Sequence, residues 1–191
     1  MKSEFLLVHN NYEKKKATTI EFDDLETFEH SKCKPLSITL AVETGTRRIL
    51  GLEVSVMPAK GLLTKKANIK YGYRPDFRRE GRRKLFQKIL PFIEENAIIK
   101  SDSNPHYPKD VKRYFPHAQH LPFKGKRGAI TGQGELKKVV FDPLFSLNHT
   151  CAMFRANVNR LIRKTWCTTK QADRLYAHLV LYAHFHNENL V

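Results

Sequence analysis

The stretch Thr18-Thr-Ile-Glu-Phe-Asp-Asp-Leu-Glu-Thr-Phe-Glu29 places two adjacent acids inside a segment with strong β-strand character. Ile20, Phe22 and Phe28 are candidates for its buried face, and Asp23 and Asp24 interrupt the pattern. A carboxylate in a central strand is unfavourable unless another group compensates it. A divalent cation shared with acids from elsewhere in the chain is one such group. A strand that ends at Phe22, with both acids opening a turn, is the other interpretation, and this stretch alone favours the turn.

The charge balance restricts the classes of partner. The chain has 191 residues, enough for one domain with a sizeable core, and a formal net charge of +15. Such an excess of Lys and Arg predicts attraction to a polyanion, with nucleic acid first and an anionic membrane surface second. No apolar run approaches the roughly 20 residues of a membrane span, and Met1–Val8 is not typical of a signal peptide. We therefore expect no membrane span, and nucleic acid rather than a membrane as the partner.

Cysteine usage points to a reducing compartment. The three cysteines are odd in number and form no C-x-x-C pair: Cys33, Cys151 and Cys167. This argues against a disulfide framework and against a zinc ribbon. We expect a cytoplasmic protein.

The first half of the chain predicts an antiparallel meander. After a basic lead-in over residues 1–17, β-branched and alternating segments predict strands at Thr18–Glu26, Pro35–Val42 and Arg48–Val56. Glu43–Thr46 is typical of a hairpin turn between the second and third strands. Three strands joined in this way form a meander.

Helices and strands alternate in the middle of the chain. Apolar spacing and turn chemistry predict the following order. It comprises a basic helix at Lys60–Tyr71, an exposed arginine-rich loop at Asp76–Gly81, a helix at Lys84–Glu95, a strand at Ala97–Asp102, a short helix within Asn104–Phe115 and a strand at His117–Leu121.

A glycine-rich basic segment separates this order from the last helices. Phe123–Lys138 interleaves glycines with lysines and arginines, which predicts a basic hairpin and an insertion at 123–141. A long amphipathic helix follows Asp142–Asn148, with an apolar stripe from Leu147 to Leu161. A last helix is predicted at Lys170–Asn187. Without an internal repeat or linker, residues 18–191 are predicted to form one domain.

Three segments in this order resemble the DDE transposases of small bacterial insertion sequences, of the insertion-sequence-one kind. They are Glu21–Glu29, which looks like the family's first-aspartate strand, Ser101–Tyr107, similar to its second-aspartate box, and Asn148–Lys164, similar to its third-residue helix. The resemblance covers about Thr18 to Asn187. It implies an α/β, ribonuclease-H-like fold: a mixed five-stranded sheet flanked by helices, with the basic hairpin inserted before the last long helices.

The resemblance also implies a catalytic site. Asp23 becomes the first metal ligand and Asp102 the second, while Asn148 stands where the family usually has Glu. An amide oxygen binds a hard cation but brings no charge, so Glu135, Asp142 or His149 stay open as the missing ligand. The implied cofactor is a pair of Mg²⁺ or Mn²⁺ ions roughly 3.5–4 Å apart, which stabilise the attacking and leaving oxygens of phosphodiester cleavage.

Simpler interpretations of these residues stay open. Asp102, before Ser-Asn-Pro, is also a plausible turn or N-cap residue. Asn148 is equally compatible with capping the long helix.

Double-stranded DNA is the implied partner, with a homo-oligomer on the DNA ends as a further expectation. The candidate phosphate contacts are the basic residues of the hairpin and the long helix: Lys124, Lys126, Arg127, Lys137, Lys138, Arg155, Arg163 and Lys164. The family's N-terminal zinc ribbon and helix-turn-helix have no counterpart before Asp23, so we expect a catalytic domain without the end-recognition domain. A non-catalytic DNA-binding remnant and a ribonuclease-H-like nuclease are the alternatives.

Overall fold

Five strands form one mixed sheet in the computed structural model, which describes residues 16–124, 142–161 and 171–190. The strands are β1 (Ala17–Phe28), β2 (Pro35–Glu43), β3 (Ile49–Val56), β4 (Ile93–Asp102) and β5 (Gln119–Phe123). Their order across the sheet is β3-β2-β1-β4-β5. The first three pair antiparallel, whereas β4 runs parallel to β1 and β5 parallel to β4. The predicted meander is confirmed.

Helices cover both faces of the sheet. They are α1 (Leu63–Tyr71), α2 (Arg78–Ile89), α3 (Tyr107–Tyr114), α4 (Phe145–Asn157) and α5 (Ala172–Glu188), with 3₁₀ turns at Leu90–Phe92 and Asn159–Leu161. Within the described ranges, every helix is too short or too polar to span a lipid bilayer.

Alternation along β1 divides the interior into two cores. Ile20 and Phe22 pack with residues of α2 and α3, including Phe86. Leu25 lies on the opposite face and belongs to a second core with Phe154 of α4 and residues of α5. Successive side chains of a strand point to opposite faces, so the central strand contributes to both cores. The prediction of an α/β protein with a five-stranded mixed sheet flanked by helices is confirmed, and the arrangement is compatible with a ribonuclease-H-like fold.

The arginine-rich segment is helical, and the predicted loop at Asp76–Gly81 is wrong. α2 begins at Arg78 and packs closely on β3: a Cβ on Gly81 would lie 2.0 Å from the Ser55 Oγ. Arg82 is only 4% exposed. Tertiary packing of a small glycine and a buried arginine therefore stabilises a helix where composition predicts a loop.

Three other predicted boundaries are wrong. The helix predicted at Lys84–Glu95 ends at Ile89. A 3₁₀ turn that contains Pro91 follows it, and the chain then enters β4 at Ile93. β5 lies two residues later than the predicted strand. α4 stops at Asn157, and the extended Val158 follows it. The lead-in residues 1–15 and residues 125–141 of the insertion lie outside the described part of the chain.

Candidate active site

The acids of the first and fourth strands lie side by side. Phe22 pairs with Ser101 in the parallel β1–β4 ladder, so the next residue of each strand, Asp23 and Asp102, also occupy neighbouring positions. Because side chains alternate along both strands, the two carboxylates share the face of the sheet that α4 and α5 cover. β1 continues to Phe28, so the interpretation in which the first strand ends at Phe22 is wrong.

The environment of Asp23 disfavours its ionised form. Burial and then the charge of Asp102 raise the pKa of Asp23 to about 7, with a smaller contribution from Asp24. The Asp24 backbone N–H, 2.7 Å from Oδ1, and the Tyr107 hydroxyl, 3.0 Å from the same oxygen, lower the pKa in part. A bound cation would relieve the electrostatic repulsion between two carboxylates that are held together in this way.

Asp102 combines two roles. Its Oδ1 accepts a hydrogen bond of 3.0 Å from the Asn104 backbone N–H, so it does form the turn that its sequence context suggests. It is not the cap of α3, whose N-cap is His106. Burial is the main cause that raises the pKa of Asp102, and the Asp24 charge adds to it. The turn fixes the carboxylate beside Asp23.

The neighbouring acid Asp24, on the opposite face of β1, is compensated by protein groups. Thr39 Oγ1 donates to Asp24 Oδ1 at 2.5 Å, and the Arg82 Nη1 lies 3.6 Å from Oδ2. Arg82 also donates from Nε to Asp110 Oδ2 at 3.0 Å. A guanidinium between two carboxylates supplies the compensation that a buried charge requires.

Tyr107 contacts both Asp23 and the Arg82 guanidinium that pairs with Asp24. Its side chain is fully buried, with its ring centroid 4.7 Å from that of Phe22 and 5.1 Å from the Arg82 guanidinium carbon. Burial and the three nearby aspartates raise the pKa of Tyr107 far above its ordinary value. The hydroxyl therefore keeps its proton and serves as a fixed donor to Asp23.

Glu21 holds α4 against the sheet and was missed in the sequence analysis. It is buried on the same face as Asp23, and its Oε2 accepts the Leu147 backbone N–H at 2.8 Å. Burial raises the pKa of Glu21, and this hydrogen bond opposes the shift. The available signal was the spacing of two residues from Asp23, which places both acids on one face of a strand.

Asn148 lies in the first turn of α4 but does not cap it. The N-cap of this helix is Leu144, so the capping interpretation is wrong. The exposed side chain of Asn148 donates from Nδ2 to Asp142 Oδ2 at 2.8 Å. One turn later the pKa of the Cys151 thiol is raised to about 12, mainly by burial, and Asp23 contributes to the shift. The hydrogen bond from Leu147 to Glu21 holds the start of α4 against the face of β1 that carries Asp23.

The donor set fits a hard cation only in part. Asp23 and Asp102 offer carboxylate oxygens, which Mg²⁺ prefers. Among the described residues, no group of three or more His, Cys, Asp or Glu side chains could hold a metal ion. The Asn148 amide oxygen is the remaining candidate. Of the other proposed ligands, Asp142 already accepts from Asn148, and Glu135 lies outside the described residues.

His149 does not complete this donor set. Its ring packs on Phe145, with ring centroids 5.7 Å apart. Its Nδ1 is buried and has no hydrogen-bond partner within the described part of the chain.

Two of the predicted DNA-binding residues can be placed. Lys124 is exposed just after β5, and Arg155 is half-buried on α4. The other six lie outside the described residues: Lys126, Arg127, Lys137, Lys138, Arg163 and Lys164.

Comparison of the chain with models of known protein families finds no match, and comparison with curated proteins finds no significant one.

Proposed function

We propose that the chain is the catalytic domain of a metal-dependent DNA strand-transfer enzyme, a transposase with a ribonuclease-H-like fold. The observation that carries the proposal is the placement of Asp23 beside Asp102, with the pKa of Asp23 raised to about 7. Acids in the middle of the first strand and at the end of the fourth are adjacent in a ribonuclease-H-like sheet, and the order β3-β2-β1-β4-β5 supports that fold.

The residues of the site would divide the work among them. Asp23 and Asp102 would hold Mg²⁺ or Mn²⁺, with the Asn148 amide oxygen as third ligand. The bound ions supply charge stabilisation for the attacking and leaving oxygens of the phosphodiester. Tyr107 orients the Asp23 carboxylate through its hydroxyl. Glu21 anchors the first turn of α4, which carries Asn148, over the same face.

Metal binding and DNA cleavage test the proposal together. Asp23→Asn and Asp102→Asn should each abolish Mn²⁺ binding, measured by calorimetry, and Mn²⁺-dependent cleavage of a DNA duplex. Duplex affinity should stay equal or rise slightly, because a carboxylate near phosphate is repulsive. Glu94→Gln, which neutralises an exposed acid on β4, is the matched control and should change neither property. Unchanged cleavage by Asp23→Asn would rule out Asp23 as a ligand.

Strand transfer separates a transposase from a nuclease. Incubation of a pre-cleaved DNA end with a supercoiled target should give joined products in the presence of Mn²⁺. Metal-dependent nicking without joined products would favour a ribonuclease-H-like nuclease instead.

A DNA-binding remnant without catalysis is the second candidate. Two observations favour it: the exposed Asn148 is hydrogen-bonded to Asp142, and the described residues lack a cluster of three His, Cys, Asp or Glu ligands. Asn148→Glu should tighten Mn²⁺ binding if Asn148 is a ligand, because a carboxylate binds the ion more strongly than an amide. Salt-dependent DNA binding, with no metal binding by wild type or Asn148→Glu, would establish the remnant.

A further inference from the structure

Residues 60–84 concentrate the positive charge of the described chain. This segment comprises α1, the following loop and the first turns of α2, and it contains ten of the 34 Lys and Arg residues but two of the 19 acids. It therefore contributes more than half of the net charge of +15. Arg74, Arg78 and Arg82 are paired with acids. No acid within the described residues pairs with the exposed Lys65, Lys66 or Lys70.

The same segment exposes apolar side chains to an unusual degree. Only Ala67 of α1 is buried. Ile69 is 79% exposed and Tyr73 86% exposed, and Phe77, just before α2, is 46% exposed. Large exposed apolar groups among cations indicate a surface that contacts a partner. We call Lys65, Lys66, Lys70, Tyr73 and Phe77 the α1 surface.

The α1 surface lies near the end of the sheet at which β1 and β3 finish. β3 ends beside the end of β1, since both flank the start of β2. Lys60, at the start of the segment, forms an ion pair with Glu26 of β1. Glu26 is three residues beyond Asp23, which corresponds to about 10 Å along a strand, and its side chain lies on the opposite face of β1. A DNA strand that reaches both the acid pair and the α1 surface must therefore pass around this end of the sheet.

We propose that the α1 surface binds an unpaired segment of DNA next to the processed phosphate. Its lysines would contact phosphates, and Tyr73 and Phe77 would stack on bases. Cations that follow a backbone, combined with aromatic rings open to stacking, are the features of single-strand sites. The choice of DNA rests on the proposed function.

Two other partners fit the α1 surface less well. A duplex backbone requires cations and hydrogen-bond donors and offers no base face to Tyr73. A membrane surface requires a continuous apolar stripe along a helix. On α1, Lys65 and Lys66 lie four and three positions before Ile69 and so share its side of the helix, which interrupts such a stripe.

Binding of the full chain to oligothymidylate, measured by fluorescence anisotropy without divalent metal, tests the proposal. The double variant Tyr73→Leu/Phe77→Leu should weaken this binding by about tenfold or more, since base stacking on aromatics contributes about that much per base. Its affinity for a duplex of equal length should stay within about twofold, because phosphate contacts dominate duplex binding. Phe185→Leu, at an exposed aromatic of α5, is the control and should change neither affinity.

A charge series tests the lysines separately. Lys65→Gln/Lys66→Gln/Lys70→Gln should lower the salt dependence of oligothymidylate binding by about two to three phosphate contacts. The matched control removes three exposed charges from α3: Lys109→Gln, Lys112→Gln and Arg113→Gln. In this control, the number of phosphate contacts inferred from the salt dependence should fall by less than one. All substituted side chains lie on the surface, and melting temperatures should confirm that each variant folds.

Three results would overturn the proposal. They are equal losses in the two charge variants, an aromatic variant that weakens duplex and single strand alike, and tighter binding to phosphatidylserine vesicles than to oligothymidylate. The assay requires neither metal nor cleavage. A chain that never cleaves DNA can therefore still support this proposal, and a chain that cleaves DNA can still contradict it.

Discussion

The two faces of β1 treat adjacent carboxylates in opposite ways. Asp24, facing α2 and α3, accepts from Thr39 and lies 3.6 Å from the buried guanidinium of Arg82. Asp23, facing α4, has the acid Asp102 as its neighbour, and its pKa is raised to about 7. On one face of the strand, a cation of the protein balances the charge of Asp24. On the other face, the charge of Asp23 and Asp102 would have to be balanced by a bound ion. That difference distinguishes a structural acid from a candidate ligand.

Removal of Arg82 should have the largest effect on folding. Arg82→Met leaves Asp24 buried without its cation, and Asp110 keeps only the exposed Arg79, 3.8 Å away. We therefore expect a loss of about 3–5 kcal/mol in the free energy of unfolding. Urea denaturation at neutral pH measures it. Arg83→Met, at the exposed neighbouring position, should stay within about 0.5 kcal/mol. A similar small loss for Arg82→Met would show that Asp24 does not depend on the ion pair.

The same isosteric change at the two adjacent acids should have opposite signs. Asp24→Asn weakens a buried ion pair and should lower the free energy of unfolding by about 1–3 kcal/mol. Asp23→Asn removes repulsion from Asp102 and should leave that free energy equal or higher at pH 8 in the presence of a chelator. Equal destabilisation by both changes would contradict the contrast between the faces.

The pH dependence of stability should identify Asp23 itself. Its pKa is raised in the folded chain from 3.8 to about 7. The contribution of the Asp23 carboxyl to the free energy of unfolding is therefore fully present below pH 3.8, and it is lost as the pH rises to about 7. The stability of Asp23→Asn relative to wild type should grow across this window in chelator. Glu94→Gln should track the wild type, and a flat difference for Asp23→Asn would show that the pKa of Asp23 is not raised.

Loss of the Tyr107 hydroxyl should have the smallest effect. Tyr107→Phe removes the 3.0 Å hydrogen bond to Asp23 and should lower the free energy of unfolding by about 1 kcal/mol. In an Asp23→Ala background the same change should lose most of its effect, which a double-mutant cycle measures. Tyr73→Phe, at an exposed hydroxyl, is the control. An undiminished effect in the Asp23→Ala background would assign the Tyr107 contribution to another contact.

Local patterns predict most of the strands but not the contacts that define the site. β2 and β3 follow from their apolar runs, and the resemblance places Asp23 next to Asp102. Nothing local in the sequence indicates that Arg82 is buried, because its charge is compensated by Asp24 and Asp110 from distant segments. The hydrogen bond from Leu147 to Glu21 spans 126 residues. Such compensation depends on which elements meet, so composition alone assigns these residues to the surface.

The positions of the paired strands in the chain indicate when the contact between Asp23 and Asp102 forms during folding. β1 and β2 are joined by a short turn between Phe28 and Pro35, whereas Asp23 and Asp102 are 79 positions apart in the chain. Contacts between distant positions require closure of a long loop and generally form late. The repulsion between the carboxylates is then absent from the early hairpin and arises only when β4 docks. If β4 docks after the transition state, we expect the repulsion to act mainly on the unfolding rate, so that the charged pair shortens the lifetime of the native state without delaying its formation.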